Sequence, residues 1–218
     1  MGNRSQDTTR ARIKEHATEL LILYGYRGLR FGDIAERMGI TRGNVHYHFG
    51  TKSRLAEEVI VDYVEAALAE LRAILCNPET GFAAKIEQLI DYCYRRYRRF
   101  NTEPEGGVPW SLVGRLRLEP DILSTRSRQV LGGFSSELKA ATLNAIYNAK
   151  QKGEFVPDAP SEAMAAQLVA IIEYAPVLTQ YSGGFRELAE LYRGYLTLMN
   201  FNHAADAPAA GREASSGG

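Results

Sequence analysis

The side chains best equipped for chemistry lie within residues 31–55, FGDIAERMGITRGNVHYHFGTKSRL, where Arg42, Asn44, His46, Tyr47 and His48 are followed by Thr51 and Lys52. Phenol, imidazole and ammonium groups can all donate hydrogen bonds to phosphate oxygens, as the side chains around the end of a nucleic-acid-reading helix do. A short helix that turns this many hydrogen-bonding side chains outward suits a polar partner. Bond-breaking chemistry has no comparable constellation. The chain shows no nucleophile elbow, phosphate loop or histidine-carboxylate cluster, so an enzyme is not expected.

The elements that must hold these side chains are legible around them. Ile34, Ala35 and Met38 make an apolar face at helical spacing, Gly39 can take the left-handed conformation that ends a helix, and Thr41 can cap the next. Ile40 and Val45 pin the second short helix to the first, with the small Ala35 allowing a close crossing. Phe49 closes that helix, and Thr51-Lys52 opens a longer one. Upstream, residues 9–24 read as a helix with Ile13, Ala17, Leu20 and Leu21 as its inner stripe.

Residues 9–58 resemble the DNA-binding domain of the TetR family of bacterial transcriptional repressors. The resemblance rests on a first helix ending in Tyr24-Gly25-Tyr26, then I-A-x-x-x-G-I-T-R-G-N-V-x-Y-H-F-x-x-K-x-x-L almost without a gap. It covers about a quarter of the chain, and the remainder matches only in length and helical character. By this resemblance Arg42, Gly43, Asn44 and His46 approach base edges, Arg42 suiting guanine and Asn44 adenine, while Gly43 lets the helix come close. Thr41, Tyr47, His48 and Lys52 match backbone-binding positions. His46 departs from the more usual tyrosine.

Charge is unevenly distributed in a chain of net charge zero. Residues 1–54 hold ten Lys/Arg against five Asp/Glu, and residues 55–218 hold sixteen against twenty-one. The positive excess coincides with the helix-turn-helix. Arg4, Arg10, Arg12 and Lys14 could reach a neighbouring groove or phosphate, or form a solvated tail. Cys76 and Cys93 have no zinc or disulfide spacing, which fits a reducing cytoplasm. The four histidines make no metal cluster, and no metal or cofactor is expected. With no run of eighteen apolar residues and no leader, no membrane or export role is expected.

The organisation read from the sequence is all-α, with about nine helices: a DNA-binding domain at 1–54, a larger ligand-binding and dimerisation domain at 55–203, and a disordered tail at 204–218. Helices are expected at Lys52–Leu75, a lever some 35 Å long by the rise of about 1.5 Å per residue, and at Phe82–Phe100, 110–118 and 121–152. Gly132-Gly133 would mark a close crossing or a kink in the last of these. The helices at 161–181 and 185–200 are apolar on more than one face, as an interface with another chain requires.

A single short reading helix contacts few base pairs, so a homodimer on a palindromic operator is expected. The resemblance places its interface in the last two helices, with Leu168, Ile172, Leu188, Leu191, Tyr192 and Tyr195 as candidates. It also implies a small-molecule inducer, apolar or amphipathic, in the larger domain. Aromatics that can both pack and offer a polar handle support this, and Trp110, Cys93, Tyr97, Phe134 and Tyr174 are the candidate pocket residues. Pro176 would shape either the pocket or the dimer seam. The run Arg95-Arg96-Tyr97-Arg98-Arg99 invites an acidic inducer but reads first as a solvated face. A DNA-binding activator or architectural regulator without an inducer is the alternative.

Overall fold

The computed structural model describes residues 2–103, 107–182 and 184–204. Nine α-helices occur among them: α1 (Gly2–Gly28), α2 (Phe31–Met38), α3 (Arg42–Phe49), α4 (Lys52–Leu75), α5 (Phe82–Phe100), α6 (Leu112–Leu116), α7 (Thr125–Gln151), α8 (Ser161–Ser182) and α9 (Arg186–Ala204). A 3₁₀ turn, Pro120–Ile122, joins α6 to α7. The tail expected at 204–218 lies outside the described residues beyond Ala204, the last residue of α9.

Helices α1, α2 and α3 pack around the start of α4 to form a head, and α4 continues into a body built with α5 to α9. The buried apolar side chains make one cluster running from Ile13 to Met199. The boundary expected between 54 and 55 therefore falls inside a continuous helix. Helix α1 also packs on α6, so the head rests on the body at a second place.

Helix α1 breaks at Gly25, immediately after the expected end at Tyr24, and a last turn to Gly28 follows at this second joint. Gly25 interrupts the helix at φ 69, and a Cβ there would lie 1.8 Å from the Glu119 carboxylate oxygen. Only glycine accepts both the left-handed backbone and that approach. Glu119 in turn accepts the Arg27 backbone N–H at 3.2 Å, and Arg27 pairs with Asp121 at 3.3 Å.

Helix ends in the body are finished by distant side chains. Gly81 offers no side-chain cap to α5, and Glu154 accepts the Phe82 N–H at 2.6 Å instead. The buried Lys85 donates to the carbonyls of Ile74, at 3.2 Å, and Asn77 at the C-terminal end of α4, where a cation complements the helix dipole. Asn101, also buried, holds the loop after α5 by donating to Tyr97 O and Val108 O and accepting from Val108 N.

Several expectations for the body need correction. The helix expected over 110–118 forms only at Leu112–Leu116, with Trp110 in the preceding extended segment. The helix expected from 121 begins at Thr125, capped by Ser124. Gly132 and Gly133 make no close crossing within the chain: both are exposed, and an added Cβ on either would meet nothing within 4 Å. Helix α8 is long and apolar enough to cross a membrane by length and composition alone. It packs against α6, α7 and α9 instead, and its Glu173 pairs with Arg117 at 3.0 Å.

Candidate functional site

Helix α3 is anchored from below. Val45 and Phe49 are fully buried, the Thr41 hydroxyl accepts the Asn44 N–H at 3.2 Å, and Gly39 ends α2 in the left-handed conformation at φ 65. Arg10 clamps the far end: it donates to His48 O at 2.6 Å, pairs with Glu58 and lies 4.2 Å above the Phe49 ring. Lys14 pairs with Asp62. Both cations thus tie α1 to α3 and α4 and are not spare groups for a partner. Arg12 is exposed, and the side chain of Arg4 lies outside the described residues.

Above that base, Thr41, Arg42, Gly43, Asn44, His46 and Tyr47 are exposed. Tyr47 is the most open of the large ones at 75%, its ring edge-on to half-buried His48. His46 sets its ring edge-on to Phe31 at 5.3 Å, which fixes the imidazole at the margin of α2. A Cβ on Gly43 would meet only the Thr41 hydroxyl, at 3.7 Å. Nothing inside the head requires glycine there, although glycine costs a helix about 1 kcal/mol relative to alanine.

Lys52 opens α4 beside this face, its ammonium 4.6 Å from the Tyr26 ring and 3.4 Å from Arg27 O. Burial lowers its pKa; Glu119 opposes that shift and Arg30 reinforces it. Arg30, Gly32, Arg42, His46 and Lys52, together with the carboxylate of Asp33, border a shallow concavity of about 540 Å³, where the N-termini of α2, α3 and α4 converge. Unpaired N–H groups and positive dipole ends at such termini favour an anion. Arg30 was missed from the sequence because it precedes α2 rather than lying in the recognition helix.

The body holds a second, smaller feature. A cavity of about 40 Å³ is lined by Cys93, Trp110 and Phe134 of the expected pocket residues. Tyr97 is buried but packs on Phe185, outside this cavity. Tyr174 is half exposed on α8 and also lies outside it. Pro176, expected at the pocket or the dimer seam, lines the cavity; the lining residues missed include Tyr63, Arg117 and Glu173, while Ile172, expected at the dimer interface, lines the cavity instead.

These walls are chemically satisfied. The Trp110 indole N–H donates to Thr179 Oγ1 at 2.8 Å, and Arg117 bonds Ser135 and Leu131 O besides pairing with Glu173. Arg96 lies 4.7 Å and 5.1 Å from the Tyr63 and Tyr92 rings. Burial disfavours its cation, but Tyr63, Tyr92 and Glu70 outweigh that, so its pKa stands above the usual arginine value. Burial pushes the Cys93 thiol up to about 11, although the hydrogen-bonded Tyr192 and nearby Arg96 act in the other direction. Cys93 is therefore a thiol at neutral pH, with its sulfur 3.5 Å from Tyr192 Oη.

The expected dimer residues also need correction. Leu168, Ile172, Leu188, Tyr192 and Tyr195 are buried within the protomer, and Leu191 alone is exposed. The outward face of α8 instead carries Ala163, Ala166, Ala170, Tyr174 and Tyr181, and that of α9 carries Leu191, Gly194 and Leu198.

A helix-turn-helix head with a polar reading face, joined by one long helix to an all-helical body, defines a DNA-binding type of regulator. Residues 13–59 match the family model described as bacterial regulatory proteins, tetR family. The chain is 30% identical over 89 residues to the HTH-type transcriptional regulator LmrA of Bacillus subtilis (strain 168), an overlap of 39% of this chain and 47% of that protein. It thus spans about half the length of that curated relative. Similar solved structures include a regulatory protein TetR from Rhodobacter sphaeroides (TM-score 0.73, 18% identity, covering 85% of this chain and 95% of that one) and E. coli NemR in its reduced form (0.70, 16%, 87% and 96%). A third is a transcriptional regulator from Saccharomonospora viridis in complex with choline (0.68, 20%, 88% and 96%). The matched head is that of a tetR-family regulator, and the chain shares its overall fold with these solved regulators.

Proposed function

We propose that this protein is a cytoplasmic, ligand-responsive repressor that binds a palindromic DNA operator as a homodimer. The observation that carries this reading is the outer face of α3, whose hydrogen-bonding side chains stand exposed on a fully packed base around a glycine the fold does not need. Arg42 and Asn44 would read guanine and adenine edges, His46 would approach a neighbouring base, and Gly43 would permit contact. Thr41, Tyr47, His48 and Lys52 would hold phosphates, Lys52 aided by the N-terminus of α4.

Two heads are needed for specific affinity, and the outward faces of α8 and α9 supply a surface for pairing. Small alanines and Gly194, to which an added Cβ would bring no contact within 4 Å, would let two copies approach closely. Tyr174, Tyr181, Leu191 and Leu198 would supply the apolar area.

An inducer would enter the body cavity and, through α4 and the α1–α6 joint, change the separation of the two heads. At about 40 Å³ the cavity holds a few waters rather than an organic ligand. Binding would therefore require its walls to part. That a similarly folded regulator holds choline supports a body able to accept a small molecule.

Selection of bound duplexes from a random pool by the purified protein, followed by sequencing, tests the reading. Enrichment of a two-fold symmetric site is the expected result. Binding that enriches no sequence and vanishes at moderate salt would mean that the heads grip phosphates without reading bases.

A further inference from the structure

Beside the small cavity lies a larger cleft of about 310 Å³ at the junction of head and body, within the size range of small-molecule sites. Its walls come from α1, α4 and α5, with Trp110 closing the inner end. Tyr63, Arg96 and Trp110 belong to both spaces and separate them.

The cleft combines flat apolar surface with excess cationic charge. Ile22, Ala66, Phe100 and Trp110 supply the first, and Arg95, Arg96 and Arg99 face the carboxylates of Glu19 and Glu70. Arg96 pairs with Glu70 at 3.5 Å and Arg99 with Glu19 at 3.2 Å, while Arg95 has no ion-pair partner among the described residues. Arg99 also reaches Glu15, at 3.7 Å. The Arg99 pairs are about half open to solvent, so each is worth little and can be exchanged, whereas Arg96 is largely buried. Trp110 and Phe100 suit a planar ring, and a guanidinium suits a carboxylate.

We propose that this cleft binds an aromatic carboxylate, with its ring against Trp110 and Phe100 and its carboxylate drawing on Arg95 and Arg99. The site is distinct from the small body cavity and does not depend on the DNA-binding reading.

Its location gives it a route to the head. Glu19 on α1 is shared between Arg99 of the body and Arg37 of α2, the latter at 3.4 Å. A ligand carboxylate that takes Arg99 competes with Glu19, leaves Glu19 to Arg37, and removes a tie between body and head. The first helix of the helix-turn-helix thereby senses an anion bound on the other side of α1.

The full-length protein is titrated with 1-naphthoate and its neutral isostere 1-naphthamide, with emission of Trp110, the single tryptophan of the chain, as the readout. Naphthoate should saturate at one per chain, at least about tenfold tighter than naphthamide. Arg95→Gln should weaken naphthoate binding about tenfold, with recovery in Arg95→Lys, and Glu19→Gln should tighten it severalfold by removing the competing carboxylate. Equal binding of both probes would overturn the ligand class. Loss of binding in Phe134→Ala with none in Arg95→Gln would place the probe in the small body cavity and overturn the site. An unchanged affinity in Glu19→Gln would overturn the competition.

Discussion

The head and the body treat polar side chains in opposite ways. On α3 the hydrogen-bonding groups stand exposed on a rigid apolar base, whereas around the body cavity Trp110, Arg117, Arg96 and Cys93 are each engaged with a neighbour. A preorganised, unspent face is complete before its partner arrives. A cavity with satisfied walls must exchange internal contacts for ligand contacts, so its occupation changes the structure around it. The contrast suits a molecule in which one region recognises and the other responds.

Replacing Gly43 by Leu is the most severe test of that contrast. The side chain has open space, and helix propensity improves, so thermal stability should hold or rise while affinity for a selected operator falls at least about 100-fold. Circular dichroism melting and fluorescence anisotropy on the same sample separate the two effects. A variant that melts early would show that Gly43 serves the fold and would erase the distinction.

The outer face of α8 and α9 should resemble α3 in being exposed for a partner. Leu198→Glu, at a side chain 62% exposed, should leave the protomer folded but weaken the dimer by tens of fold in sedimentation equilibrium. A dimer of undiminished strength would move the interface elsewhere.

Trp110→Phe tests the satisfied character of the body. Removing the indole donor from buried Thr179 should cost about 1–2 kcal/mol in urea unfolding. Lys52→Ala should weaken binding to every duplex and reduce the slope of log affinity against log salt by about one, whereas Asn44→Ala should change preference at one base pair per half-site. Equal loss across all sequences with Asn44→Ala would remove it from base reading.

The smallest effect concerns the thiols. With its pKa pushed up to about 11, Cys93 yields appreciable thiolate only as the pH approaches that value. Iodoacetamide at pH 8 should therefore add one group per native chain, at the exposed Cys76, as read by mass spectrometry. A second adduct on the native protein would show that the body opens far more readily than its contacts indicate.

The starts of α2, α3 and α4 and both ends of α5 were legible because capping residues and apolar periodicity act over a few positions. Among the other body helices α8 begins at the expected Ser161, whereas α6 and α7 begin later than expected, each behind a capping serine, Ser111 and Ser124. The pocket was half legible. Cys93, Trp110 and Phe134 share one cavity, but Tyr97 turns to Phe185 and Tyr174 to the surface, since an aromatic at helical spacing serves either environment equally. The basic run of α5 divides in the same way: Arg96 is inserted between tyrosines, while Arg95 and Arg99 line the outer cleft.

By itself the sequence determined an all-α chain with a helix-turn-helix and the tetR-family resemblance of its head, because helix caps, glycine turns and the 3.6-residue period are local properties. Which apolar face of α8 and α9 would turn inward was decided only by tertiary structure. Leu168, Leu188, Tyr192 and Tyr195 fill the protomer and leave alanines, Gly194 and a few large side chains outside. Periodicity reports that a helix has two apolar sides, but packing volume against the rest of the chain selects the one that is buried.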